Sequence, residues 1–340
     1  MIDLRLGRHA LGGGLFVILL AGCGGSQATN MSGATPPGVL TQSRSHHASS
    51  GVPLMYAFGS FSSGNGLIMD YPSGQIENSL TVPFGFPSST CSDSYGNVFV
   101  GGQNSSTALP FMVEYAYGAT TPSTSLTIGT SAGNIRGCSI DMTTGNVAAL
   151  IQYDSFTFAV AILPGFTGTP ELYTDAGIYQ FLSVGYDGKG NLFLGGYNSG
   201  KSVYSLAELP TGGSSFGSIS LSLPPNATQL KTVQWDGTYV TIEGAYKTKG
   251  KPKAWPQAVF QLSISGSQAK VANTIILKAF GTNRLEQDTS GSIVPSLNAL
   301  VLVDDGPIRI FNYPLGGKES AKLHAGQGRA IMGTVALPMQ

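Results

Sequence analysis

The chain has 340 residues with 18 Lys+Arg and 18 Asp+Glu, a balance that argues against a general binder of nucleic acid or other polyanions. Only 11% of the residues are charged, well below the usual quarter, and the 47 glycines accompany many Ser, Thr, Tyr and Phe residues. This composition favours many short strands and turns over helices.

Residues 1–22 are typical of an export signal and are not expected to belong to the folded domain. A basic start precedes the apolar run 15–20, which is too short to span a bilayer comfortably. The following Leu20-Ala21-Gly22-Cys23 resembles the lipobox of bacterial lipoproteins. The resemblance implies that Cys23 becomes the first mature residue and carries lipid, and several acyl chains on one residue anchor a protein firmly. An ordinary secretion signal with a chance Cys is the alternative.

Residues 23–51 are rich in Ser, Gly, Ala, Thr and Pro, and bulky apolar side chains are nearly absent. Such a segment buries too little surface to fold, so we predict a flexible tether. Gly24, and not Asp, follows Cys23. By analogy with Gram-negative sorting rules, this favours the outer membrane. We therefore expect an extracytoplasmic protein in the cell envelope, attached to the membrane by its lipid, with a folded domain over 52–340.

Two short patterns recur along that domain. The first is an Asp, a Gly-containing turn and an apolar strand. Asp accepts bonds from nearby backbone N–H groups and Gly adopts positive φ, so each copy predicts a tight hairpin. The copies lie at 93–97, 141–146 and 187–191, with weaker ones at 236–239 and 288–292. The second pattern is a strand ending in Tyr or Leu, at Tyr71, Tyr115, Leu163, Leu209, Leu262 and Tyr313.

The repeat of roughly 50 residues, with several short strands in each copy, is typical of propeller blades. The first blade lacks the first pattern, and the apolar C-terminal segment 329–337 has no later repeat to pair with. We predict an all-β, six-bladed β-propeller of four-stranded blades, in which this C-terminal strand completes the first blade and closes the ring. Closure of this kind leaves no exposed sheet edge at the junction.

These turns and strand ends resemble the NHL-repeat and gluconolactonase-like group of six-bladed propellers over residues 52–340. The resemblance implies the fold more firmly than the function, because the group includes hydrolases, lyases and binding modules. Its lactonase-like members hold a divalent metal with Glu, Asp and Asn side chains. The predicted innermost strands here carry no carboxylate before the turn Asp, apart from Glu286. We therefore expect no metal, no cofactor and no defined catalysis, with a lactonase- or lyase-like enzyme as the alternative.

The predicted innermost strands carry cations near their starts, namely Arg136, Lys231, Arg284 and Arg329. If these side chains share one rim of the central channel, they form an electropositive mouth for a small anionic ligand such as a carboxylate or an acidic sugar. The alternative is that they are solvated strand ends. The Lys-rich run 247–253 predicts a solvated loop, with contact to anionic lipid or to a protein as the alternative.

Cys91 and Cys138 lie at similar points of consecutive predicted blades. Export permits a disulfide between them, but only the distance between their Cα atoms decides whether it forms. The sequence leaves a disulfide open and favours two buried thiols. Taken together, the sequence predicts a monomeric ligand- or protein-binding scaffold that does not bind nucleic acid.

Overall fold

The computed structural model describes residues 51–61, 64–83, 86–175, 177–198, 203–247, 256–278, 290–303, 307–324 and 328–338. These residues belong to one compact unit, His46–Gln340. They form twenty-five strands and two short 3₁₀ turns, which confirms the predicted all-β class. No helix within these ranges is long and apolar enough to cross a membrane. Cys23 and Arg284 lie outside the described residues.

The strands are short and follow one another at close intervals along the whole described chain. In chain order they are β1 (Leu54–Phe61), β2 (Gly64–Asp70), β3 (Ile76–Leu80), β4 (Phe86–Ser92), β5 (Val98–Gln103), β6 (Pro110–Tyr115), β7 (Thr124–Thr127), β8 (Asn134–Ile140), β9 (Val147–Gln152), β10 (Phe158–Leu163), β11 (Glu171–Tyr173), β12 (Gln180–Tyr186), β13 (Leu192–Tyr197), β14 (Tyr204–Leu209), β15 (Gly217–Ser222), β16 (Ala227–Thr228), β17 (Val233–Trp235), β18 (Val240–Tyr246), β19 (Gln257–Ser265), β20 (Gln268–Lys278), β21 (Ser290–Val294), β22 (Ala299–Val303), β23 (Pro307–Asn312), β24 (Gly317–His324) and β25 (Gly328–Ala336). The 3₁₀ turns are Pro164–Phe166 and Pro295–Leu297.

Hydrogen bonding arranges the strands in six antiparallel groups. Groups 1, 2 and 3 have the orders β25-β1-β2-β3, β4-β5-β6-β7 and β8-β9-β10-β11. Group 4 is β12-β13-β14-β15, and group 6 is β21-β22-β23-β24. Group 5 runs from β16 and β17 through β18 and β19 to β20, and β20 also pairs in parallel with β15 and β24. The last strand of the chain therefore pairs with the first, since β25 is antiparallel to β1.

Both faces of the central strands are buried because each group packs against two others. All five residues of Ala299–Val303 are buried, as are the first five of Val147–Gln152. The apolar clusters lie between groups 1 and 2, 2 and 3, 3 and 4, 4 and 5, 5 and 6, and 6 and 1. Such two-sided burial explains why these strands are continuous apolar runs and do not alternate.

The first strands of the groups, which we call the inner ring, are β25, β4, β8, β12, β17 and β21. Each one contacts the next, and β21 contacts β25. The edge of the molecule where these strands end is called the turn edge, and the edge where they begin is called the loop edge. Function is more often carried by loops than by tight turns, which makes the loop edge the more favoured location for a site.

The Asp residues of the first pattern form the turns at the turn edge, as predicted. Oδ1 of Asp93 accepts the N–H groups of Tyr95 (2.9 Å) and Asn97 (2.8 Å), and its Oδ2 accepts the side chain of Asn97 (2.8 Å). Asp187 binds Asn191 in the same way. These carboxylates are therefore used within their own hairpins.

The prediction of a sixth-group turn at 288–292 is wrong. Gly291 and Ser292 lie inside β21, paired with Leu302 and Val301. The turn is instead made by Pro295–Leu297, and it ends at Asn298, which has φ 48°. Pro favours the start of such a turn and Asn tolerates the left-handed conformation, so this segment replaces the Asp-Gly hairpin of the other groups.

Candidate functional site

Polar side chains link the strands of the inner ring to one another. Each link joins a side chain on one strand to the main chain of an adjacent strand in the ring, so it fixes the two groups in register. The links are Ser92 Oγ to Val335 O (3.0 Å), Ser88 Oγ to Ile135 O (2.7 Å), Tyr186 N to Ser139 Oγ (3.0 Å), Val233 N to Ser183 Oγ (2.8 Å) and Gln234 Nε2 to Gly291 O (2.7 Å). These side chains satisfy main-chain groups near the centre of the molecule.

Cys91 of β4 and Cys138 of β8 form a disulfide, with Cα atoms 5.8 Å apart. This distance lies within the range that a disulfide spans without backbone movement. The two buried thiols favoured from the sequence are therefore not what the structure contains. The bond joins groups 2 and 3 covalently within the inner ring.

Two of the four cations predicted from the sequence, Arg136 and Lys231, lie at a repeated irregularity of the inner ring. The register of the first strand against its neighbour shifts at Ser88, Arg136 and Leu182, each of which is an extra residue in its strand. In group 5 a longer interruption, between Thr228 and Val233, contains Lys231. Bulges of this kind re-aim a side chain near the end of a strand. Groups 2 and 4 thus have a neutral residue where groups 3 and 5 have a cation.

The structure describes the side chains of two of the four predicted cations. Arg136 is exposed at the loop edge. Lys231 is partly buried, its N–H donates to Glu243 O (2.8 Å), and its carbonyl accepts bonds from Ser183 and Tyr204. Arg329 lies opposite Ser60 in the pairing of β25 with β1, and its side chain is outside the described part. The electropositive mouth formed by four cations therefore stays a prediction.

A buried acid that the sequence reading missed lies next to Lys231. Glu243 is only 5% exposed, and its Oε1 accepts a bond from Gln234 Nε2 (2.8 Å). A Cβ on Gly291 would overlap this carboxylate, so the glycine leaves room for it. Burial raises the pKa of Glu243 to about 7, and Lys231 and the bond from Gln234 oppose this shift. In the sequence, the signal for this buried acid is a single Glu within the apolar segment 240–246.

The described residues contain no group of three or more His, Cys, Asp or Glu side chains that could hold a metal ion. Glu243 has the amide of Gln234 and the ammonium group of Lys231 nearby. The arrangement can bind or release a proton near neutral pH, in a position that couples groups 5 and 6.

The loop edge of groups 3 and 4 exposes aromatic side chains that the sequence reading did not select. Phe156 is 64% exposed and Tyr179 45% exposed, and their ring centroids are 5.2 Å apart. Arg136 and Gln180 are exposed at the starts of β8 and β12, and Val203 is exposed before β14. These five residues are called the rim patch. Residues 156 and 179 are distant in sequence, so only the fold reveals that the rings meet.

The loop that carries Phe156 is held in shape by Asp154. Its Oδ1 accepts the N–H groups of Phe156 and Thr157, both at 2.8 Å, and its Oδ2 accepts the Thr157 hydroxyl (2.9 Å). These bonds lower the pKa of Asp154. Tyr179 is fixed by its own N–H, which donates to Tyr197 O (2.8 Å). The exposed rings therefore sit on ordered backbone, which reduces the entropy lost on binding.

No family model matches the chain, and a search of curated proteins finds no match either. Solved structures do match. A chain of the nidogen/laminin complex is 14% identical, covers 85% of this chain and 100% of its own, and has a TM-score of 0.57. TolB from Acinetobacter baumannii is 13% identical over 84% of this chain and 66% of its own, with a TM-score of 0.57. A putative TolB from Agrobacterium tumefaciens is 14% identical over 82% and 91%, with a TM-score of 0.51.

These solved structures are β-propellers, and the chain described here has the β-propeller fold. At such low identities the likeness extends to the fold alone. The packing of groups around the inner ring is the arrangement that this fold requires. The loop edge is accordingly one of the two faces of the propeller.

Replacing both Cys91 and Cys138 by Ser should destabilise the protein by up to about 4 kcal/mol, because the bond closes a loop with a sequence separation of 47 residues. The measurement is unfolding in guanidinium chloride with and without a reducing agent. Reduction should lower the midpoint of the wild type and leave the double variant unchanged. Equal midpoints for oxidised wild type and variant would show that the bond contributes nothing.

Glu243→Gln should stabilise the protein at pH 8. Because the folded pKa is raised from 4.5 to about 7, the folded state holds a proton that the unfolded chain loses between these values. The free energy of unfolding therefore falls as pH rises through this window, by an amount on the order of 3 kcal/mol that the Gln variant does not lose. Urea unfolding at pH 5 and pH 8 measures the difference. Exposed Glu77→Gln is the control, and an equal pH dependence in all three proteins would contradict the argument.

Proposed function

We propose that the chain is a lipid-anchored, extracytoplasmic six-bladed β-propeller that serves as a binding or scaffold module for a protein partner. The observation that carries the binding role is the rim patch, in which two exposed aromatic rings contact each other on hydrogen-bonded loops of the same edge that exposes Arg136. Aromatic residues and Arg are the types enriched in protein interfaces. The nidogen structure is that of a complex with laminin, which supports a protein-binding role for a propeller of this shape.

Six blades closed by the C-terminal strand are the form of propeller that we infer. Its support is the set of apolar layers between successive groups, together with the layer that joins group 6 to group 1. The antiparallel pairing of β25 with β1 is the strand exchange that such closure needs. The NHL-like and gluconolactonase-like resemblance remains part of this proposal, as does the monomeric state.

The location rests on the N-terminal segments and on the disulfide. We assign residues 1–22 to a lipoprotein signal, Cys23 to the lipid, 23–51 to the tether and 52–340 to the propeller. The Cys91–Cys138 bond supports export, because disulfides persist in oxidising compartments and are rare in reducing ones. The absence of Asp after Cys23 favours the outer membrane if the cell is Gram-negative.

Replacing Cys23 by Ser should release the protein from the membrane, because Ser cannot carry the thioether-linked lipid. Fractionation of cells should find the wild type with the membranes and the variant in the soluble envelope fraction or as an uncleaved precursor. Metabolic labelling with a fatty acid should mark the wild type only. Labelling of the Ser variant to the same extent would sink the assignment of Cys23.

A photocrosslinking phenylalanine analogue tests the binding role directly. Placed at position 156, it should give a discrete protein adduct in intact cells, and the adduct should disappear when Tyr179 is replaced by Ala. Leu172 is the matched control, since it is 54% exposed and lies on the outer strand β11, away from the rim patch. If positions 156 and 172 give the same adducts, or neither gives any, the rim patch is not a protein-binding surface.

A further inference from the structure

We propose that the rim patch binds an acidic polypeptide segment that also carries an aromatic side chain. This inference rests on the proposed binding function and deepens it by naming the chemistry of the partner. Three features of the loop edge carry it, namely the sign of its charge, the spread of that charge over several groups, and the two exposed rings that contact each other.

Cations outnumber acids at the loop edge of the part of the chain that the structure describes. The basic residues within two positions of a strand end or in a link on this edge are Arg136, Lys231, Lys247, Lys278, Arg309 and Lys322, of which Arg309 is paired with Glu319, and the acidic ones are Asp154, Glu171 and Asp175. The chain as a whole has no net charge, so this excess is local. This local excess of positive charge favours a negatively charged partner, because the electrostatic potentials of the two surfaces would then be complementary.

The acids of this edge are used in local contacts. Asp154 accepts bonds from Phe156 and Thr157, as described above, Oδ1 of Asp175 accepts the N–H of Gly177 (2.6 Å), and the carboxylate of Glu171 accepts the Tyr173 hydroxyl (2.7 Å). These hydrogen bonds hold the carboxylates in place against their own chain segments. Arg136, in contrast, is exposed on a bulge that turns it out of the regular strand. The guanidinium group is therefore available for the bidentate contacts that carboxylates accept.

The spread of the cations favours an extended partner over a small anion. Arg136 belongs to group 3, Lys231 and Lys278 to group 5, and Lys322 to group 6. A small anion is held by donors that converge on one point, whereas these residues are distributed over three groups. A polypeptide with several carboxylates can follow the loop edge from one group to the next.

The aromatic requirement comes from Phe156 and Tyr179. Their ring planes are tilted by 30° with centroids 5.2 Å apart, and both rings stay largely exposed. Exposed aromatic surface on ordered backbone is costly in water, and an aromatic side chain of the partner would cover it with the offset geometry that such rings prefer. Val203 and Gln180 extend the same surface with an apolar and a hydrogen-bonding group.

The test uses defined polymers as probes and the full mature chain in detergent. Biolayer interferometry would compare a random Glu–Tyr copolymer with polyglutamate and with a Lys–Tyr copolymer of similar length. We expect the Glu–Tyr copolymer to bind at least tenfold more tightly than either. Phe156→Ala with Tyr179→Ala should reduce this affinity to that of polyglutamate, and Arg136→Gln should weaken it severalfold and reduce its dependence on salt.

Two control variants keep the comparison specific. Leu172→Ala removes an exposed apolar side chain from β11, and Lys189→Gln removes an exposed cation from the turn edge. Neither should change the affinity. The inference is overturned if polyglutamate binds as tightly as the Glu–Tyr copolymer, or if the aromatic variants bind it normally. It is also overturned if phosphatidylglycerol vesicles bind with the same sensitivity to these variants, since the partner would then be a membrane.

The copolymer experiment and the photocrosslinking experiment can fail independently of each other. A protein adduct at position 156 without binding of the Glu–Tyr copolymer would leave the binding role in place and reject the acidic–aromatic chemistry. Failure of both experiments would reject the two proposals together.

Discussion

The rest of the structure depends on the burial of both faces of each strand group. Strands such as Ala299–Val303 have no polar face to present to water, so a group with a neighbour on only one side would expose a whole apolar sheet. Each group therefore requires two neighbours, and a chain of such groups satisfies the requirement best when its ends meet. The pairing of β25 with β1 and the apolar layer between groups 6 and 1 follow from this constraint.

Two-sided packing also decides where function can be located. Side chains of the inner ring point toward the adjacent group, and many of them are used to bind its main chain, as Ser183 does with Val233 and Gln234 does with Gly291. The Asp residues of the hairpins are used in the same manner at the turn edge. Polar groups that are free to recognise a partner must then come from the loop edge, where the chain leaves the packed strands. The rim patch belongs to this region because its rings lie in links between strands and not within them.

Much of the fold could be read from the sequence because its signals are local. An Asp, a Gly and an apolar run determine a hairpin through contacts between residues that are close in the sequence. In the second group, for example, β4 ends and β5 begins on either side of the pattern at 93–97. The turn of group 6 was misplaced since Pro295–Leu297 reaches the same chain reversal without Asp or Gly. The candidate site was harder, because it depends on contacts between distant residues. Phe156 and Tyr179 meet only through the link between groups 3 and 4, the cysteines required a Cα distance, and Glu243 required the space that Gly291 leaves.

The departures from the repeat show how a weakened motif is compensated. In group 5 Tyr239 stands where groups 2 to 4 have Asn, so Asp236 lacks the side-chain amide that Asp93 and Asp187 bind. Gln261 of β19 and the Tyr313 hydroxyl of group 6 donate to Oδ2 of Asp236 instead, both at 2.5 Å. The replacement moves a contact from within one hairpin to the boundary between two groups, where β20 also pairs with β24 and Gln234 reaches Gly291. Groups 5 and 6 are thereby held together by buried polar contacts, with Glu243 among them, whereas groups 2 and 3 are held by a covalent bond. The rim patch lies on groups 3 and 4, and group 3 is one of the two groups that the disulfide joins.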